Sequence, residues 1–276
     1  APEQEEKAFA YCEGYKEFLN AAKTEREFVR EAVLRLKEAG YEEFEEGKIY
    51  QPGDKVYQIN RKKALLMSTF GKRPLEDGVR INVAHIDSPR LDLKPNPLYE
   101  KAEAAYFKTH YYGGIRKYQW ATIPLAMHGV VILKDGTSMD ICIGEKEGDP
   151  VFCVTDLLPH LAAQQNERKL KDGIKGEELN IIVGSLPYPC EEEDSIKEPV
   201  KLLALSLLNE RFGMTEKDFL RAEIEFVPAV KATDVGLDRS LVGAYGQDDK
   251  VCAYMTLYTA LVTVAKLAAP MIPFMS

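Results

Sequence analysis

His85 and Asp87 stand two residues apart in Val83-Ala84-His85-Ile86-Asp87-Ser88-Pro89. In an extended chain such positions share a face and lie roughly 7 Å apart. A neutral imidazole is the commonest metal ligand, and its second ring nitrogen usually donates to a carboxylate that orients it. His-x-Asp at a strand end suits that pairing. It also suits a plain polar strand end running into a turn. Asp248-Asp249 is the second candidate. Two acids opening a helix are favoured there by the unpaired amides and the dipole. That is the simpler reading of the pair alone; the other is a carboxylate that bridges two metal ions, a recurrent device for hydrolysis. The stretch Tyr111 to Trp120, with Gly113-Gly114, Arg116 and Lys117, reads as a hairpin loop with packed aromatics, and His160 as a partly buried helix histidine. There is no phosphate-binding Gly-rich loop, nucleophile elbow, His-Glu-x-x-His or Cys-x-x-Cys in the sequence.

These groups need elements to hold them. Val79, Ile81 and Val83 alternate with Arg80 and Asn82, which predicts a buried strand delivering His85 at its carboxyl end. Residues 5–22 read as a helix. Thr24 and Glu27 form a capping-box signature, followed by Phe28, Ala32 and Leu36 at helical spacing and a stop at Gly40. Two strands are expected at 56–59 and 64–70. Between 97 and 234 the texture is β-rich, with turn signals at Gly113-Gly114 and Asp135-Gly136. Within it, 155–165 reads as a short helix and the acidic run 191–194 as a solvated loop. Val251 to Lys266 reads as an apolar, Ala-rich helix, and Pro270 to Met275 as a buried-type strand. The fold class expected is an α/β domain, residues 1–96 and 235–276, interrupted by a β-rich insertion at 97–234.

Bulk properties narrow the function. The 276 residues are 45% hydrophobic and 29% charged, which is a globular composition able to bury a core. A net charge of -8 with no basic stripe argues against nucleic acid and anionic membranes as partners. Five scattered cysteines without close pairs read as reduced thiols of a cytoplasmic protein. The acidic N-terminus is no signal peptide, and no stretch reaches membrane-spanning length.

Four blocks together resemble the aspartyl-aminopeptidase family of dinuclear metallopeptidases, especially its bacterial branch: VAHIDSPRLDLKPNP (83–97), KTHYYGGIRKYQW (108–120), DLLPHLA (156–162) and VGLDRSLVGAYGQDDKVCAY (235–254). The resemblance implies a peptidase-type α/β domain interrupted by a β-rich dimerisation domain. It implies an aminopeptidase with two divalent metal ions, normally zinc, acting on peptides with acidic N-terminal residues, and self-association into dimers and larger shells. Carried over by position, His85 is a terminal metal ligand, Asp87 the catalytic-site carboxylate behind it, and Asp248 the bridging ligand. Asp249 occupies the position where relatives carry Asp or Asn.

The family pattern continues with a Glu-Glu pair after the strand that follows the Asp-Asp helix, then a late Asp and a C-terminal His. Those four are not found after Met275. The expectation is therefore an N-terminal part of such an enzyme, inactive by itself. The alternative is a non-catalytic homologue or assembly module that keeps the dimerisation domain.

Overall fold

Thr24 starts the best-defined helix. Its Oγ1 accepts from the Glu27 amide at 3.3 Å, and the Glu27 carboxylate accepts from the Thr24 amide at 3.0 Å. Both arms of the expected capping box are thus closed. Thr24→Ala should lower stability by about 1 kcal/mol in urea denaturation, the usual loss for a removed N-cap. The structure is a computed structural model that describes residues 2–190 and 196–261. The chain divides into two compact units, residues 1–88 with 231–276, and residues 89–230.

The first unit opens with α1 (Pro2–Ala21) and α2 (Glu25–Glu38). Phe28, Ala32 and Leu36 of α2 are buried and pack with Phe18 of α1 in one apolar cluster. Then come β1 (Glu42–Glu43), β2 (Lys55–Asn60) and β3 (Ala64–Thr69). β2 and β3 pair antiparallel from Lys55↔Thr69 to Asn60↔Ala64, and β1 joins β2 in parallel.

The segment that follows departs from expectation. Residues 79–83 form no β-ladder with any described residue, and Val79, Ile81 and Val83 are 62%, 74% and 85% exposed. Alternation records which side chains share a face, but a strand exists only where a neighbour supplies ladder partners. No described residue supplies them. His85 therefore rides on an unpaired strap.

The second unit is built on a seven-stranded antiparallel sheet. Its strands are β4 (Arg90–Lys101), β5 (Ala104–Tyr112), β6 (Leu125–Ile132), β7 (Ser138–Ile143), β8 (Cys153–Val154), β9 (Ile181–Gly184) and β10 (Ala222–Pro228). Their order across the sheet is β7-β6-β10-β4-β5-β9-β8. This unit begins at Pro89, eight residues before the border expected at 97, and ends at Val230. Pro95 and Pro97 look like strand terminators, yet β4 runs through them because the β4–β5 register shifts between Leu93 and Leu98.

The expected helix at 155–165 contracts to α3 (Ala163–Asn166). Leu157, Leu158 and Leu161 are 55%, 59% and 64% exposed, so no buried face rewards a longer one. α4 (Pro199–Phe212) packs on β4, β5 and β9. The Glu100 carboxylate accepts from the Val200 and Lys201 amides at 2.9 and 3.0 Å, which satisfies the first turn of α4. The acidic run 191–194 lies outside the described residues.

The chain then returns to the first unit. β11 (Thr233–Val235) pairs with β12 (Leu241–Gly243), and α5 (Gln247–Leu261) follows. Asn20 Oδ1 accepts from the Ala232 amide at 2.7 Å, and the Lys16 ammonium meets Asp234 at 2.6 Å. Tyr15 donates to Gln247 Oε1 at 2.9 Å, tying the first residue of α5 to α1. Ala253, Tyr254 and Leu257 of α5 complete the apolar cluster around Phe18 and Phe28. The strand expected at 270–275 lies outside the described residues. Among the described residues no helix is long and apolar enough to cross a membrane.

Candidate metal centre

Two stretches 163 positions apart in sequence converge within the first unit. His85 Nε2 stands 3.1 Å from Asp248 Oδ1. His85 Nδ1 stands 3.0 Å from Asp87 Oδ1 and 3.2 Å from the Asp87 carbonyl. The side chains of His85, Asp87 and Asp248 are 53%, 35% and 92% exposed, so the group opens to solvent.

The His85–Asp87 contact follows from local sequence. Two positions apart on the strap, the Asp87 carboxylate reaches back to the His85 ring. Asp248 is presented by the irregular start of α5. Its φ and ψ are -89° and 111°, and those of Asp249 are -116° and 31°. The Asp248–Asp249 peptide bond is cis. The pair thus forms a bent entry to the helix and not two residues of its first regular turn. Asp249 is turned elsewhere, toward Cys252. That hydrogen bond, with partial burial and the Asp249 charge, pushes the Cys252 thiol above its ordinary pKa.

Electrostatics bear on what the trio can hold. Burial works against the imidazolium of His85. The charge and hydrogen bonds of Asp87, joined by Asp248, outweigh it and hold the His85 pKa above its ordinary value. When the ring is neutral with its proton on Nδ1, that N–H donates to Asp87, and the Nε2 lone pair is left facing a carboxylate oxygen. Two acceptors 3.1 Å apart repel unless a cation or proton lies between them. Adjacent nitrogen and oxygen ligands of a tetrahedral zinc stand roughly 3.4 Å apart, given bonds of about 2.0–2.2 Å. The donor types and their spacing fit such an ion.

Sequence reasoning passed over two residues beside this site. Ser88 is buried, and its hydroxyl donates to the Asp248 carbonyl at 3.4 Å. Lys250 is fully buried, with its ammonium 3.0 Å from Ser88 Oγ. Nothing in the sequence marks that lysine as internal. His110, the Tyr111 to Trp120 loop and His160 belong to the second unit.

Residues 18–271 match the model of the family described as aminopeptidase I zinc metalloprotease, M18. The chain belongs to the M18 aminopeptidase family. A probable M18 family aminopeptidase 1 from Clostridium acetobutylicum is 50% identical over 262 residues, which are 94% of this chain and 56% of that protein. The crystal structure of an M18 aminopeptidase from Thermotoga maritima superposes with a TM-score of 0.87 at 48% identity, over 93% of this chain and 56% of the other. The S. cerevisiae mApe1 dodecamer shares the fold at a TM-score of 0.66 and 18% identity, over 90% of this chain and 55% of the other. The chain thus spans somewhat more than half the length of these M18 relatives.

Proposed function

We propose that this chain carries part of the active centre of a metal-dependent aminopeptidase, with His85 as a terminal metal ligand and Asp248 as the carboxylate that bridges two divalent ions, most simply zinc. The observation that carries the reading is the convergence of His85 Nε2 and Asp248 Oδ1 to 3.1 Å, with Asp87 behind the ring, a pair of ligand types at ligand spacing. Membership of a family described as zinc metalloproteases supports it. Asp87 holds the proton on Nδ1 and so keeps Nε2 free as a ligand. Asp249 sits beside the bridging position without facing it. When bound, the metal pair polarises a peptide carbonyl and acidifies a water, which is the chemistry hydrolysis needs. Peptides with a free amino end, acidic at the first residue, are the substrate class proposed.

Metal removal tests this on the protein expressed from its complete reading frame. Dialysis against a strong chelator should abolish hydrolysis of aminoacyl chromogenic substrates, and zinc should restore it. Aspartyl and glutamyl substrates should outpace leucyl ones. Turnover that survives complete metal removal would sink the proposal, whereas leucyl preference would remove only the acidic specificity. Asp87→Asn should weaken metal affinity or activity about 10–100-fold, as loss of a ligand's orienting partner does. Chelator competition on the purified variant measures it.

The second unit, Pro89–Val230, is proposed as the dimerisation module. The dodecameric state of the yeast fold relative is consistent with self-association. Expressed separately, this segment should dimerise through a contact burying at least about 1,000 Å² in total. Light scattering that shows a monodisperse monomer at high concentration would count against that role.

A further inference from the structure

Lys250 is the one lysine of the described residues with no exposed surface at all among the buried polar groups of the chain. An ammonium taken out of water is tolerated only when its hydrogens find good acceptors. Here Nζ donates to the Lys23 carbonyl at 2.8 Å and to Ser88 Oγ at 3.0 Å, and it lies 5.1 Å from the centre of the Tyr245 ring. Those partners come from the link between α1 and α2, from the strap carrying His85, and from the turn entering α5. The space is shaped for this head group. A Cβ on Gly246 would stand 2.6 Å from Nζ and 3.0 Å from Ser88 Oγ, and the Gly246 φ of +79° also favours glycine.

The hydrogen bonds run in one direction. Lys250 donates to Ser88, whose own proton then goes to the Asp248 carbonyl at 3.4 Å. Ser88 follows Asp87 directly, and Asp248 precedes Lys250 by two residues. The relay therefore joins the two segments that bring His85 and Asp248 together, from the buried side, while the metal face stays open. We propose that Lys250 is a positioning residue that, through Ser88, fixes the separation of His85 from Asp248 and so sets the affinity of this site for a divalent cation. This rests on the metal reading of the trio.

The test uses the full-length protein stripped of metal, with zinc affinity read by competition against a chromophoric chelator and folding followed by thermal unfolding. Lys250→Met and Ser88→Ala should each weaken zinc binding about 10–100-fold. The double variant should be no weaker than the worse single one, because both break the same relay. Ser88→Ala lowers the unfolding temperature by removing one acceptor of the buried ammonium, but it keeps the Lys23 carbonyl as the other and should still fold, so it decides the matter even if Lys250→Met fails to fold. Zinc affinity within twofold of the parent in Ser88→Ala, alongside lost affinity in His85→Ala, would overturn the positioning role and leave the metal site standing. Unchanged affinity in His85→Ala as well would overturn both.

Discussion

His85→Ala in the full-length protein should leave the purified protein nearly free of zinc and without measurable turnover if the proposed metal centre is right. Removing an orienting carboxylate costs about 10–100-fold, and removing the ligand itself should exceed the upper end of that range. A catalytic zinc has only about three protein ligands to lose. The variant is also a clean one. The His85 side chain is 53% exposed and sits outside the apolar cluster of its unit, so the fold should survive its loss. Elemental analysis after dialysis, with circular dichroism on the same sample, separates a lost site from a lost structure. A folded His85→Ala protein with the parent's zinc content and turnover would remove His85 from the ligand set.

The largest effect on stability is expected at Gly129. This residue lies in β6, opposite Ile224 of β10 on one side and Ile141 of β7 on the other. Its φ is +148°, and a Cβ would stand 2.0 Å from the Glu223 carbonyl oxygen and 2.8 Å from the Ile224 Cα. Both obstacles are backbone of the neighbouring strand, so no rotamer change relieves them. Gly129→Ala must push β10 away from β6 or break the ladder. We expect a loss of about 4 kcal/mol, the exceptional end for single substitutions. That is a large part of the ~5–15 kcal/mol that holds a typical domain. Gly136→Ala is the control. Its φ is +88° but nothing lies within 4 Å of the added carbon, so only the backbone penalty of roughly 1–2 kcal/mol applies. In urea denaturation the ΔΔG of Gly129→Ala should be about two- to fourfold that of Gly136→Ala. Equal losses would mean that the β6–β10 register at Gly129 is wrong.

Local chemistry was legible in the sequence where it depends on neighbours along the chain. Thr24 and Glu27 announce their helix because both arms of the capping box lie within three residues. The Asp-Gly signal at 135–136 falls in the turn between β6 and β7, where Gly136 takes a φ of +88° and its amide donates to the Leu133 carbonyl. His85 and Asp87 could be paired by spacing, and the resemblance to a family named Asp248 as their partner. The failures share one cause. Val79 to Val83 alternates like a strand, yet a ladder needs a neighbour that alternation does not specify. Lys250 resembles any helix lysine until the strap and the α1–α2 link close over it. In each case the deciding group lies far away in sequence.

The most direct measurement is anomalous diffraction at the zinc absorption edge from crystals of the full-length protein. The account predicts a peak bonded at once to His85 Nε2 and to the Asp248 carboxylate, about 2.0–2.2 Å from each. A second peak should lie roughly 3.5–4 Å from the first, sharing the same Asp248 carboxylate. Zinc held elsewhere, with His85 and Asp248 still in direct contact and no ion between them, would contradict it.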